Sequence, residues 1–270
     1  MIKIATWNVN SIRSRTTNLK NYIKTANPDI ILLQELKCTN EQFPFSDFSD
    51  LNYNISINGQ KAYNGVAIMS KFPIYDIKNE LPFFGLVDND NDSRYIEARF
   101  DYNGKSLKVA SIYVPNGDTT ENVKDKTETE KFYNKIKFYR RLKEQFLLDK
   151  REGDFAIYGG DFNTCPELVD MYSIKKDGDI CCNIKERMEF KKFLDDGMED
   201  LFRYFNKDLI EFSWWGYRAK AWEKNYGLRL DALLTSKENL EYIKDCKVDK
   251  ETRGEEHPSD HVPMYCLINI

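Results

Sequence analysis

Histidine is almost absent: the 270 residues contain only His257 and His261. Any imidazole chemistry has these two residues to choose from. The six cysteines (Cys38, Cys165, Cys181, Cys182, Cys246 and Cys266) form no C-x-x-C pair and no zinc-type ligand spacing. Two are adjacent, which is awkward for a disulfide framework, so they read as reduced thiols of a cytosolic protein. No apolar run is long enough to span a membrane, and "MIKIATWNVN" lacks the apolar stretch of a signal peptide, so the expected location is cytoplasmic. There is no Pro/Ser-rich linker and no low-complexity tract, which favours one domain over residues 1–270. Positive charge is not in excess: 40 Lys+Arg stand against 44 Asp+Glu, a net charge of −4. That weighs against a nucleic-acid partner, because phosphate binding needs cationic surface. The sum hides its distribution, however. A carboxylate-lined metal site lowers the total while a basic rim persists elsewhere.

What is present describes an ordinary soluble globular chain, with 41% hydrophobic and 31% charged residues. Aromatic residues, at 14%, suit a core of aromatic-rich sheets. "IKIATW" alternates as a strand, and "DIILLQE" is a buried strand that stays apolar until Gln34 and Glu35. "GVAIMS", "RYIEARFDY", "KSLKVASIYV", "DFAIYGGDFN", "GLRLDALLTS" and "PMYCLINI" read as further strands, with a hairpin turn at Asn103-Gly104. Leu19, Tyr22, Ile23 and Ala26 mark a helix that Asn27-Pro28 stops. Phe132, Ile136, Tyr139, Leu142 and Phe146 mark a second, and "NIKERMEFKKFLDDG" a third, closed by Gly197. "PNGDTTENVKDKTETE" is polar, has no period and reads as a loop. Strands outnumber helices, which predicts two packed sheets with helices outside them.

The strands tend to end in polar clusters: "TWNVN", "LLQE", "YVPN", "GGDFN", "RLD" and "PSDH". An active site gathered at one edge of a sheet sandwich has this signature. Taken singly, each cluster has two readings. Glu35 is either a solvent-facing carboxylate or a ligand for a hard cation, with Asn8 either a turn residue or a source of a carbonyl oxygen. Asp161 and Asn163, on one side of an extended chain, form either an Asx turn or a pair in which Asp161 activates water and Asn163 orients a phosphate. Tyr113 is either core or a hydroxyl donor to phosphate. Asp231 interrupts an apolar run, and a buried carboxylate is costly unless paired. Its natural partner is a histidine, and His261, next to the last strand, is the better placed; His257 reads as a loop residue. Asp260 would face the same site and could bind metal. "FSWWGYRAKAWEK" interleaves Trp214, Trp215, Tyr217 and Trp222 with Arg218, Lys220 and Lys224. That mixture is either a hydrophobic plug or a nucleic-acid surface. Arg13, close to Asn8 in sequence, is a further basic candidate.

Taken in order, "TWNVNSIR", "LLQELK", "YVPNG", "GGDFN", "FSWWGYRAKAWEKNYGLRLD" and "HPSDH" resemble the exonuclease III/apurinic-apyrimidinic (AP) endonuclease family of the endonuclease/exonuclease/phosphatase superfamily. "GDFN" and "SDH" alone indicate only the superfamily; the aromatic-basic stretch running into "GLRLD" is far more specific. The resemblance covers essentially the whole chain. It implies a four-layered αββα sandwich of α/β class, with mainly antiparallel or mixed sheets. It implies a Mg²⁺-dependent hydrolase, with Mn²⁺ as a substitute ion, that cuts duplex DNA 5′ to abasic sites and trims 3′ ends as a monomer. It makes Glu35 the principal metal ligand, with Asn8 and Asp260 nearby, and Asp161 the residue that activates water. Asn163 and Tyr113 become phosphate or leaving-group contacts, and Asp231 and His261 the carboxylate-imidazole pair. Trp214 stands where relatives put an aromatic against the abasic sugar, with Arg13, Arg218 and Asn116 on the DNA side. Two positions depart from the pattern: Asp118-Thr119 follow "VPNG" where some relatives have an arginine, and Leu228 stands where some have tryptophan.

Such a site suits phosphodiester cleavage, which is slow because an anion repels the nucleophile; a metal polarises the phosphoryl oxygen. A carboxylate with an ordinary pKa near ~4 is a weak base, and a negative, desolvated site raises it. The main rival is a phosphoinositide phosphatase or other phosphodiesterase of the superfamily, which would share Glu35, Asp161 and Asp260-His261. Tyr113 and the tryptophan-rich stretch argue against it. A non-catalytic DNA-binding module predicts gaps among the polar residues, and none is seen.

Overall fold

The computed structural model describes residues 1–82, 92–118, 129–172 and 180–270. Part of the polar loop after "VPNG", residues 119–128 with Thr119, therefore lies outside the described residues. One sheet contains β1 (Ile2–Asn8), β2 (Ile30–Gln34), β3 (Asn54–Asn58), β4 (Val66–Ser70), β11 (Ile243–Val248) and β12 (Met264–Ile268), in the order β11-β12-β1-β2-β4-β3. The other contains β5 (Tyr75–Lys78), β6 (Tyr95–Tyr102), β7 (Lys105–Tyr113), β8 (Phe155–Asp161), β9 (Met198–Asp200) and β10 (Asp231–Ser236), in the order β5-β6-β7-β8-β10-β9.

Each sheet is mixed, with a single parallel pair: β1 with β2, and β7 with β8. A parallel pair needs a crossover, and a helix makes each one. Helix α1 (Thr16–Ala26) joins β1 to β2, and α3 (Glu130–Glu152) joins β7 to β8. Helix α1 ends at Asn27 in the left-handed region (φ 48°), and Thr129 caps α3 by accepting from the Phe132 amide. Helix α4 (Ile184–Asp195) lies beside α3; α2 (Phe45–Phe48) and α5 (Leu201–Phe205) are short. Asn103 and Gly104 both have positive φ (51° and 75°), as the tight β6–β7 turn requires.

Strand alternation builds the layers. Ile2 and Ile4 of β1, Ile30 and Leu32 of β2, Leu107 and Val109 of β7, Ile157 of β8 and Leu233 of β10 meet between the sheets. The opposite faces pack outward: Ala5, Trp7, Ile31 and Leu33 against α1, and Ala110, Ile112, Tyr158 and Leu234 against α3 and α4. The result is the αββα sandwich. Extending the inward alternation by one or two steps reaches Thr6 and Asn8, Gln34, Ser111 and Tyr113, Asp161, and Asp231. The core turns polar at one end. Gln34 spans the gap, donating to Thr6 Oγ1 (3.1 Å) and Ser111 Oγ (2.9 Å). Gly159 lets the sheets approach here, since a Cβ would lie 2.7 Å from both Leu32 and Leu233.

The strands that the sequence pattern does not reveal are β3, β5, β9 and β11, the outer strand at each edge of each sheet. Edge strands are half-solvated and short, so alternation is weak in them; every residue of β5 is exposed. One expected strand is shorter than predicted. "GLRLDALLTS" becomes regular only at Asp231, because Leu228 bridges to Trp214 and Met171 while Arg229 turns into a buried ion cluster.

Candidate active site at the polar end of the sandwich

Register brings the polar residues together. Asp161 ends β8 and pairs across the sheet with Tyr113 on one side and Asp231 on the other. From the facing sheet, Asn8 donates through Nδ2 to Asp161 Oδ2 (2.9 Å). The chain then turns sharply, with Asn163 at φ 49°, and the Asn163 amide donates to Asp161 Oδ1 (2.8 Å). The chain does not stay extended here: of the two readings, the backbone takes the Asx turn. The turn itself folds Asn163 back toward Asp161, with Nδ2 3.4 Å from Asp161 Oδ2.

His261 is held between two aspartates. Nδ1 lies 2.8 Å from Asp231 Oδ2, and Nε2 lies 3.6 Å from Asp161 Oδ2. Burial disfavours the imidazolium, but Asp231, Asp161 and Asp260 outweigh it and push the pKa up to about 10. Burial also drives Asp161 up to about 7, against the opposing pull of His261. The "SDH" turn is fixed by its serine: Ser259 Oγ donates to the Asn8 carbonyl (2.8 Å) and accepts from the His261 amide (3.2 Å). His257 is a surface residue, with 86% of its side chain exposed.

Glu35 and Asp260 form the other half of the site. Tyr113 donates its hydroxyl to Glu35 Oε1. Burial first, and Glu35 second, raise the Tyr113 pKa well above the ordinary value, so it stays a donor. Lys37 Nζ bridges Glu35 Oε2 (2.9 Å) and Asn10 Oδ1 (2.5 Å), and Asn10 Nδ2 donates to Asp260 Oδ1 (2.8 Å). Burial would raise the Asp260 carboxyl, but His261 and the Trp214 and Asn10 donors hold it below its usual range. Asn10 and Lys37 were missed in the sequence. Their signal was proximity: each lies two residues beyond a candidate, Asn8 or Glu35.

Among the described residues two clusters of three carboxylate or imidazole groups lie close enough to share a cation, one at this site and one, Asp149, Glu152 and Asp154, away from it. Asp161, Asp231 and His261 each place one donor atom within 4.8 Å of the others. Both imidazole nitrogens face carboxylates, however, and a protonated ring has no lone pair to give. Glu35 and Asp260, joined through Lys37 and Asn10, are carboxylates that supply oxygen donors only, with Lys37 as the present counter-ion of Glu35. That chemistry fits a hard divalent cation such as Mg²⁺.

Trp214 Nε1 donates to Asp260 Oδ2 (3.0 Å), so the aromatic segment is tied directly to the carboxylates. Beyond it opens a cavity of about 480 Å³ lined by Trp214, Tyr172, Tyr217, Arg218, Tyr226 and Asp260. Trp215 is the plug, fully buried with Trp222 edge-on to it. Leu228 is buried behind Trp214, bridged to its backbone. Asn116 is exposed, with Nδ2 3.4 Å from Asn163 Oδ1. Arg13 stands apart from the cluster; it is exposed and donates to the Lys37 carbonyl (3.4 Å). Asp118 pairs with Lys131 (2.8 Å).

A model of the endonuclease/exonuclease/phosphatase family matches residues 5–261. The chain belongs to that family. This family member is 31% identical to exodeoxyribonuclease III of Haemophilus influenzae over 273 residues, 98% of both chains. It is 30% identical over 280 residues to the Bacillus subtilis exodeoxyribonuclease, covering all of both. Among solved structures, the 3′ phosphatase NExo from Neisseria, bound to a product DNA hairpin, superposes with TM-score 0.89 at 32% identity over both whole chains. An AP endonuclease from Archaeoglobus fulgidus superposes with TM-score 0.86, also at 32% identity over both whole chains. These likenesses place the family member in the exonuclease III/AP endonuclease branch, and so among hydrolytic nucleases. Among the described residues, no helix is long and apolar enough to cross a membrane.

Proposed function

We propose that residues 1–270 act as one catalytic domain, a monomer in the cytoplasm, that hydrolyses DNA phosphodiesters with Mg²⁺. Mn²⁺ serves as a substitute. The substrates are duplexes with abasic sites, cut 5′ to the lesion, and 3′ ends, trimmed one nucleotide at a time. The observation that carries this reading is the Trp214–Asp260 bond. It fixes an aromatic wall and the adjoining Arg218 against the carboxylates, an arrangement that suits a nucleotide chain better than a lipid headgroup.

Glu35 and Asp260, with the Asn8 or Asn10 amide, would hold the Mg²⁺, which supplies positive charge against the phosphoryl and leaving oxygens. The protein's own groups do the rest. Asp161, oriented by Asn8 and Asn163, accepts the proton of the attacking water. His261, held by Asp231, faces the charge that builds on the phosphate. Asn163 Nδ2, which donates to the Val114 carbonyl (2.9 Å), and the Tyr113 hydroxyl, which donates to Glu35, flank Asp161 and would turn to the phosphate, and Asn116 and Arg13 meet the DNA backbone outside the site. Geometry favours a clamp role for His261 over a base role, because each ring nitrogen already faces a carboxylate.

The test is cleavage of an end-labelled duplex with one stable abasic-site analogue, with Mg²⁺ or EDTA, beside an intact duplex and a phosphoinositide. A Mg²⁺-dependent nick 5′ to the lesion, with laddering from the 3′ end, supports the proposal. Phosphate release from the lipid with intact DNA would move the chain to the phosphatase branch.

A further inference from the structure

The backbone behind the site raises its own question. The turns carrying Asn116 and Asn163 are irregular, and their backbone carbonyls lie outside the regular helix and strand ladders, so they need donors from elsewhere. One helix supplies them. Lys135 and Tyr139, at i and i+4 on α3, present one face to both turns. Tyr139 donates its hydroxyl to the Phe162 carbonyl (2.7 Å), and Lys135 Nζ donates to the Asn163 carbonyl (2.6 Å) and the Asn116 carbonyl (3.3 Å). Lys135 is fully buried, and its ammonium pairs with the equally buried Glu186 (3.0 Å) in the first turn of α4. Gly117, at φ 84°, lies flat on the lysine stem; a Cβ there would come within 2.8 Å of Lys135 Cδ.

A buried ion pair is weak evidence for stability. Its desolvation cost rivals its attraction, and neutral replacements of similar volume are often harmless to the fold. A lysine placed here needs another reason, and its contacts supply one. We infer that the Lys135–Glu186 pair is a positioning device for cleavage, in which Lys135 holds the two site asparagines through their backbone carbonyls and Glu186 anchors the lysine. The inference rests on the nuclease reading above. Neither residue touches substrate. The device works because an error of about 1 Å in such a site costs about 10²-fold in rate.

The experiment removes both charges at once, with Lys135→Met and Glu186→Gln combined, so that no lone charge is left buried. The expected double variant is folded by far-UV circular dichroism and thermal melting. Its kcat on an abasic-site duplex is down by about 10²-fold, while KM changes far less. Its crystal structure is expected to have the carbonyls of Asn116 and Asn163 displaced. A folded double variant with wild-type kcat and unmoved asparagines overturns the inference. Where the double variant is too unstable to assay, Lys135→Arg replaces it, and kcat is compared with the crystallographic position of Asn163. Changes in both support the link, and a change in one alone or in neither overturns it. A wild-type chain that leaves DNA intact overturns the nuclease reading instead; the crystallographic comparison still decides whether the pair holds the asparagines.

Discussion

His261 Nδ1 stands 2.8 Å from Asp231 Oδ2, across a sequence separation of 30 residues, with both side chains buried. Asp231 begins β10 and His261 precedes β12, so the pair joins one sheet to the other at the polar end of the sandwich. This contact separates the two histidines of the chain into one that is built into the structure and one that is not.

His261→Ala is therefore expected to lower kcat by roughly 10²–10³-fold with folding retained. His257→Ala, at an exposed position, should leave activity within assay error. Steady-state cleavage of the abasic-site duplex measures both, and a comparable loss at His257 would reverse the assignment.

Asp161→Asn tests the base. Burial works against the charge of Asp161, so replacing it with a neutral amide should leave the melting temperature unchanged or higher. Activity should fall by roughly 10²–10⁴-fold. A variant that loses stability in proportion to activity would make Asp161 a structural residue.

Glu35→Gln should raise the Mg²⁺ concentration for half-maximal activity by at least about tenfold, since a hard cation loses one carboxylate ligand. EDTA should silence the wild type, and added Mg²⁺ or Mn²⁺ should restore it. Activity of Glu35→Gln at the wild-type Mg²⁺ midpoint would move the ion elsewhere.

Trp214→Ala removes an aromatic wall and a donor to Asp260. An affinity loss of about 1–3 kcal/mol for duplex with an abasic site or frayed 3′ end is expected. Fluorescence anisotropy with labelled duplex checks it, and unchanged binding would leave Trp214 a packing residue.

Acid stability should be sensitive to Asp170. This carboxylate is fully buried, and burial alone would raise its pKa; Arg229 (2.6 and 2.9 Å) and Arg203 overcome that and lower it. A depressed folded-state value means the stabilisation is present above the unfolded pKa near ~3.9 and is lost as pH falls through the folded value. Urea melts between neutral pH and acid should lose stability below about pH 4. Asp170→Asn should cost about 3–5 kcal/mol at neutral pH, because two arginines lose their shared partner, and should flatten the acid limb. An unchanged acid limb would remove Asp170 from the account.

Much of this was legible before folding. Near-continuous apolar runs marked the strands that pack on both faces, such as β2 and β4, because burial on both sides favours them, and the edge strands stayed hidden because solvent does not. Single polar residues at strand ends, such as Asn8, Glu35, Tyr113 and Asp161, stood out against apolar runs. Residues such as Lys135, Glu186, Arg229 and Asp170 were unreadable. A buried charge looks like a surface charge in sequence until its partner, often tens of residues away, is brought to it.

The amino-acid order by itself determined which segments are buried strands, through apolar runs, and which segments turn, through Asn, Gly and Pro at strand ends. It also determined that a scarce imidazole would sit beside an aspartate-rich turn. Only the tertiary structure decided which end of the sandwich is polar, which aspartate meets His261, and that one lysine backs both asparagine turns. Those outcomes depend on strand order and cross-sheet register, which arise from long-range packing and have no local signature in the chain.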